Sequence, residues 1–481
     1  MEKPINCFPT YEYVWSDKDK TFHNMYRGVD LGKGGWVYSE PGIYTNVALL
    51  DAASLHPTSI INLNKLGKYT QRYADLRRAR VFIKHGEYEE AAKLFDGKLK
   101  KYLDDKSGAD ALSAALKLPL NSFFGVSFAS FDNPARDSRD TNNIIALRGA
   151  LFMKTLFDAV EAEGYKIVHV KTDSCKVINS DNYIIKFIQD FGKKYGYEME
   201  HEATYDRMCL LDKAQYVAAY ITPEEAMDRY GYVPSAIAKQ FKKHDYAWTT
   251  TGDAFQHPYI FKTLFSGEQI EFKDLCETKS VKTAIYLDTN EKLPDVTLEE
   301  AELKKRQYNH EHPDDQKKLN QNYSMLSDDD LMDIIAGGHD YHFVGRVGNF
   351  IPVRDGVGGG LLLRKNGNKY DSVTGAKGYR WMESEQVKAL GLENEYDHRY
   401  YDELIDGAIK SVNAIGSFDR FIDLSRPYVQ PESISPASDD YPPWSTVPCG
   451  DGKYNTCMDC PNYKGDDVCG SGYSLASYVK S

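Results

Sequence analysis

Two aspartates stand where apolar segments end. Asp51 closes the run IYTNVALLDAA (43–53), and Asp173 lies inside KIVHVKTDSCKVIN (166–179). A carboxylate at the mouth of a buried strand is a hard oxygen ligand, and two on neighbouring strand ends could share divalent cations. Two Mg²⁺ ions about 3.5–4 Å apart clamp the attacking and leaving oxygens of an in-line phosphoryl displacement. Each residue alone has a plainer reading: Asp51 as a helix cap, Asp173 as a turn former. A third group lies between them in the chain. Lys117 and Asn121 are four residues apart and Phe124 follows three later, so one helix face offers a cation, an amide and a ring. Arg80 and Lys84 repeat the four-residue spacing, which suits phosphate and also suits an ordinary solvated helix face.

The elements that must hold these groups follow from periodicity. Residues 43–53 read as a buried strand, followed by a short helix. A helix runs from Lys68 to about His85, Gly86 breaks it, and EYEEAAKLFDGKLKKYL starts a second. DDKSG is a turn, and ADALSAALKLPLNSFF resumes helix, with Pro119 expected to kink it. Ile144, Leu147, Leu151 and Val160 recur at helical spacing up to Gly164. KIVHVKTDSCKVIN alternates as a β-hairpin with Thr172 and Asp173 at its tip, DNYIIKFIQDFGKKYG is a helix capped by Ser180 or Asp181, and EMEHEATYDRMCLLDKAQYVAAY supplies two strands. This order predicts an α+β fold, an antiparallel sheet with helices on one face. Beyond residue 222, 298–338 read as helical and charged and 340–382 as strand and turn. GVGGGLLL (356–363) lacks the Gly-Lys-Ser/Thr of a phosphate loop and reads as a turn.

The chain has 481 residues and a formal charge of −12, so it is not basic overall. Residues 65–106 nevertheless carry twelve Lys or Arg against seven Asp or Glu, a local excess of the kind a nucleic-acid groove uses. No apolar run reaches membrane-spanning length and MEKPINCFPT lacks a signal pattern, so a soluble cytoplasmic protein with no membrane partner is expected. Cys7, Cys175, Cys209 and Cys276 are scattered, as reduced thiols would be. Six prolines in 427–448 read as a linker to Cys449, Cys457, Cys460 and Cys469, whose spacing suits a tetrahedral Zn²⁺ site, with two disulfides as the alternative.

Asp51-Ala-Ala-Ser-Leu-His-Pro, Lys117-Leu-Pro-Leu-Asn121-Ser-Phe-Phe124-Gly and Lys171-Thr-Asp173-Ser resemble, in order, the three polymerase motifs of family B DNA polymerases: D-x-x-S-L-Y-P-S, K-x-x-x-N-S-x-Y-G and D-T-D-S. The resemblance covers about residues 25–220. Phe255-Gln-His-Pro-Tyr-Ile-Phe-Lys and the cysteine cluster look like polymerases of tailed phages and prophages, whose setting is the host cytoplasm. The resemblance implies a right-hand polymerase. Its parts would be a junction and first palm segment (1–64), helical-hairpin fingers (65–124), a second palm segment (125–222), a mixed thumb and C-terminal region (223–426), the linker (427–448) and a zinc-binding tail (449–481). It implies Asp51, Asp173 and the Ala52 carbonyl as ligands of two Mg²⁺. Ser54, Leu55, His56, Arg80, Lys84, Lys117, Asn121 and Phe124 would face the dNTP. Lys171, Thr172, Ser174, Lys213 and Tyr216 would face primer-template DNA.

The chain departs from that pattern at several positions. Lys171 replaces the first aspartate of D-T-D-S. His56 replaces a tyrosine that blocks a 2′-hydroxyl, so either ribonucleotides are rejected less strongly or His56 is simply packed. Lys213-Ala-Gln-Tyr216 matches K-K-R-Y only in part, and Tyr216 also reads as strand packing. GKGGWVYSEPG (32–42) looks like the junction after the family's exonuclease domain, with Gly32 where a tyrosine is common. No D-x-E exonuclease site precedes Asp51, so proofreading is expected on a separate polypeptide, or the chain is a fragment, with replisome proteins as further partners. The expectation is a DNA polymerase core. Its alternatives are a primer-template-binding accessory with attenuated catalysis, or a primase-polymerase tolerant of ribonucleotides.

Overall fold

The structure, a computed structural model, describes residues 12–129, 131, 133, 143–289, 341–367 and 369–429. Met1–Leu424 packs as one unit and Ser425–Ser481 forms another. The four clustered cysteines, the helical reading of 298–338 and all but the start of the proline-rich linker lie outside the described residues.

A small sheet of β1 (Glu12–Ser16), β2 (Thr21–Tyr26) and β3 (Val29–Asp30) comes first. The main sheet has the order β10-β9-β8-β5-β7-β6-β4, with β4 (Val37–Ser39), β5 (Gly42–Ala52), β6 (Lys166–Lys171), β7 (Ser174–Ile178), β8 (Met199–Leu210), β9 (Tyr216–Tyr220) and β10 (Trp248–Thr251). All its pairings are antiparallel. β5 sits in its middle, which is why Val47, Ala48, Leu50 and Ala52 are all buried and the strand reads as a nearly unbroken apolar run.

Between β5 and β6 the chain builds α1 (Leu55–Asn62), α2 (Thr70–Lys84), α3 (Tyr88–Lys93), α4 (Lys106–Phe128) and α5 (Ile144–Ala162). α2 and α4 form a hairpin with its own core of Ala79, Ile83, Ala91, Leu103, Ala109 and Leu116. The second helix expected from residue 87 is broken after α3. Phe95 and Asp96 adopt left-handed backbone (φ 55° and 56°), and short 3₁₀ turns carry the chain to α4. Gly97 and an aspartate that competes for backbone hydrogen bonds give that stretch little hold on a helix. α4 continues through Pro119, and the Tyr73 hydroxyl donates to the Leu120 carbonyl at 2.7 Å, pinning α2 to α4 one residue beyond the proline.

α5 and α6 (Asn182–Lys194) cover one face of the main sheet, where Leu147, Phe152, Leu156, Ile184 and Ile188 bury Leu50, Cys175 and Val177. Sequence periodicity placed helices on that face alone. In the structure α7 (Pro223–Tyr230) and α8 (Ser235–Lys243) also cover part of the opposite face, burying Ala203, Met208 and Ala218 under Ala226 and Ile237. α8 is short and buries only Ile237 fully, so its inward stripe is brief in the sequence.

A five-stranded sheet of order β14-β13-β11-β12-β15 follows, with β11 (Glu277–Asp288), β12 (Tyr341–Val353), β13 (Leu361–Asn366), β14 (Lys369–Ser372) and β15 (Arg380–Glu383). The glycines of GVGGGLLL form a turn there and its leucines open β13, and Gly360 is needed because a Cβ would lie 2.3 Å from the Asp288 carbonyl oxygen. No described helix is long and apolar enough to cross a membrane.

Candidate active site

At the C-terminal end of β5, Asp51 pairs with Ser174 of β7 on one side and Glu200 of β8 on the other. The β6–β7 turn brings Asp173 to the same place. The Ala52 N–H donates to the Asp173 carbonyl at 2.7 Å, so the two aspartates occupy adjoining strand ends. The turn is tight. Thr172 sits at φ 58°, the Asp173 N–H donates to the Lys171 carbonyl at 2.7 Å, and the Thr172 N–H donates to the Trp36 carbonyl at 3.1 Å. Gly35 permits that last approach, because a Cβ there would sit 2.8 Å from Thr172 Cγ2 and its φ is 137°. The GKGG segment therefore shapes the turn carrying Asp173.

Like charges crowd this strand end. Burial first, then the fields of Asp173, Glu202 and Glu200, push the Asp51 carboxyl up to about 8, with Lys84 opposing them. Burial likewise raises Asp173. Glu202 is raised mainly by burial, with Lys84 opposing and Glu200 and Asp173 adding. The opposing charge at Asp51 and Glu202 comes mainly from Lys84 of α2. Lys84 Nζ lies 3.4 Å from Glu200, and His85 Nε2 lies 3.5 Å from the same carboxylate. Arg77 donates to the Ala53 carbonyl at 3.1 Å and lies 3.4 Å from Glu198. Arg77, Glu198, Glu200 and Glu202 escaped the sequence reading. Their signal was the acid at every second residue of Glu198-Met-Glu-His-Glu202, the period of one strand face.

Nearby positions divide into those that meet and those that stay apart. His56, in the first turn of α1, stacks on Phe124 of α4 with ring centroids 4.1 Å apart and planes 1° from parallel. Burial lowers the His56 pKa, and its Nδ1 is buried without a hydrogen-bond partner. Ser54 takes left-handed backbone at the start of α1 (φ 58°), while Leu55 is buried in the core and offers solvent only its main chain. Arg80 is half-buried with an unpartnered Nε. Lys117 and Asn121 are exposed on α4, and Lys171 is exposed at the turn, where the Ser174 hydroxyl donates to its carbonyl at 3.5 Å. Lys213 lies in the β8–β9 turn and Tyr216 opens β9.

Among the described residues no group of three or more His, Cys, Asp or Glu side chains is arranged to hold a metal ion. Magnesium needs no such cage, because one or two carboxylates with waters and substrate phosphates complete its octahedron. The donor set here, two adjoining carboxylates whose mutual repulsion a divalent cation would relieve, fits it.

No family model matches the chain, and no curated protein does. Among solved structures, the family B DNA polymerase from the hyperthermophilic archaeon Pyrobaculum calidifontis is similar at a TM-score of 0.35 and 13% identity, over 85% of this chain and 48% of that one. The chain thus spans about half the length of that polymerase. A likeness of this size leaves function to the residues themselves.

Proposed function

We propose that the chain is a template-directed DNA polymerase core that adds deoxynucleotides to a primer 3′-end by magnesium-assisted phosphoryl transfer. The observation that supports it most is the meeting of the β5 end with the β6–β7 turn, which gathers Asp51 and Asp173 into one partly buried carboxylate cluster. The order of the three motifs around a basic helical hairpin adds to it. On this reading the main sheet is the palm, α2 to α4 are the fingers, and residues 223–426 contain the thumb.

Asp51, Asp173 and the Ala52 carbonyl would hold two Mg²⁺ ions. Bound there, the metal would neutralise charge on the α-phosphate and favour ionisation of the primer hydroxyl. Arg80, Lys84 and Lys117 supply cations for the triphosphate, and the amides at Ser54 and Leu55 point along the start of α1, where anions are stabilised. Asn121 and the His56–Phe124 stack border the nucleotide. Lys171, Thr172, Ser174, Lys213 and Tyr216 face the primer strand. The hydroxyl attacks the α-phosphorus and pyrophosphate leaves. Template pairing selects the base, so the protein reads only shape and backbone. Positioning and fixed charge then carry most of the rate.

Extension of a labelled primer with Mg²⁺ and dNTPs tests this. Asp51→Ala and Asp173→Ala are each expected to cut extension by at least about a hundredfold, with duplex binding in EDTA retained. Full activity in either variant would exclude the reading. Lys171 at the turn and Ala214 in the lysine motif favour a second one, an accessory that binds primer-template and extends poorly. Duplex binding by the wild-type chain without extension would select it. Synthesis without a primer would select the primase-polymerase.

A further inference from the structure

The β8–β9 turn is held from two directions. Within the hairpin, the Asp212 carboxylate accepts from the amides of Ala214 (2.6 Å) and Gln215 (3.0 Å), and the Ala254 N–H donates to Gln215 Oε1 at 3.0 Å. From across the sheet, His169 Nε2 lies 3.2 Å from the Lys213 carbonyl, although β5 and β7 separate β6 from β8 in strand order. The hairpin must therefore bend over the sheet to reach β6.

His169 does not act alone. Its Nδ1 lies 3.0 Å from Lys176 Nζ of β7, and that nitrogen lies 4.5 Å from the centroid of the Tyr216 ring. His169 and Lys176 are 1% and 2% exposed. The Lys213 carbonyl only accepts, so Nε2 carries the proton that bonds it, and Nδ1 of the neutral ring accepts from Lys176 Nζ. The tautomer is set by the Lys213 carbonyl. Burial first, then Lys176, lowers His169 to about 4, which keeps the imidazole neutral. Among the described residues the contacts of Lys176 are an imidazole and an aromatic ring. Burial lowers the Lys176 pKa, and burying a polar amine this deeply is costly where an apolar side chain would ordinarily be easier. Its place beneath the Lys213 turn and the Tyr216 ring gives it a task.

We infer that Lys176 and His169 are positioning residues, a relay from β7 through β6 that fixes the Lys213 turn and the Tyr216 ring where they meet the backbone of a nucleic-acid strand. The identity of that strand as a primer rests on the polymerase reading. The hydrogen bonds and ring contact of the relay lead to the Lys213 turn and to Tyr216. Its loss therefore acts on primer-template affinity.

The test compares His169→Phe, His169→Gln and Lys176→Met in the full chain. Fluorescence anisotropy with a labelled primer-template in EDTA gives duplex affinity, and extension with saturating dNTPs gives kcat and the primer-template KM. His169→Phe and Lys176→Met are expected to weaken duplex binding and raise that KM about tenfold, the size of one buried hydrogen bond, with kcat changed less than about threefold. His169→Gln, which keeps one acceptor and one donor, restores most of the affinity. In a Lys213→Ala background the effect of His169→Phe shrinks, because the two residues act through one contact. Unchanged duplex affinity in folded His169→Phe overturns the inference, as does equal loss in His169→Gln, full additivity with Lys213→Ala, or a fall confined to kcat. If Lys176→Met does not fold, the contrast between the two His169 variants decides. Because affinity is read without turnover, a wild-type chain that binds duplex but extends nothing overturns the polymerase reading alone.

Discussion

His56 and Phe124 lie face to face, and the buried Nδ1 of the imidazole has no partner. Burial lowers the imidazole pKa, so the ring stays neutral and stacks as an aromatic rather than acting as a cation. On the proposed reading this pair borders the sugar of the bound nucleotide, and a phenol at position 56 would reach further than an imidazole. His56→Tyr is therefore expected to raise the ratio of deoxy- to ribonucleotide incorporation efficiency by roughly tenfold, one contact's worth of discrimination. Single-nucleotide insertion kinetics with dNTP and NTP pairs measure it. Equal ratios would return His56 to simple packing against α4. Lys171 is the other residue at which chemistry and packing part: its exposure at the turn leaves the ammonium open to a phosphate as much as to the carboxylates.

α2 lies against the start of β8, and two of its cations are already engaged there. Lys84 pairs with Glu200 and Arg77 with Glu198, both at 3.4 Å. Partly exposed pairs of this kind contribute little net stability, so a triphosphate of higher charge density can displace the carboxylate at small cost. Lys84→Ala is expected to raise the KM for dNTP about tenfold, the loss of one charged contact. Glu200→Gln removes the competitor and is expected to lower the same KM by about threefold. Steady-state kinetics at saturating primer-template read both. If neither variant moves the nucleotide KM, the exchange of carboxylate for phosphate at Lys84 does not occur. The same ion pairs explain why the fields at Asp51 include an opposing one from a helix far away in sequence.

Across the whole molecule, the five-stranded sheet carries its own buried charge network. Burial alone would raise Glu277, but the neighbouring His257, the paired Lys279 and the hydrogen bond from the Tyr400 hydroxyl bring it down to about 2. A carboxyl held below its ordinary value of 4.5 binds fewer protons when folded than when unfolded. It therefore adds stability above that value and loses it as pH falls toward 2. Glu277→Gln is expected to cost roughly 2–3 kcal/mol at neutral pH. The gap from wild type should narrow as pH drops from about 5 to about 3, measured by thermal melts. A gap independent of pH would mean the network holds the sheet by packing alone. Much of the frame around the site is legible in the chain. The strand that ends on Asp51 shows its apolar run, the 166–179 hairpin its alternation, and α5 and α6 helical spacing and stop signals. The break after α3 was less visible, because Phe95 and Asp96 take left-handed backbone that neither residue type demands. Gly35 was visible only as one glycine among several until Thr172 was found against it. Local order alone thus determined which residues are strand, turn or helix, and which types could do chemistry, because those properties depend on near neighbours. Only the tertiary structure decided that Asp51 adjoins Asp173, that Glu200 pairs with Lys84 and that His169 reaches Lys213. Strand register and desolvation are set by residues distant in the chain, and no short-range pattern encodes them.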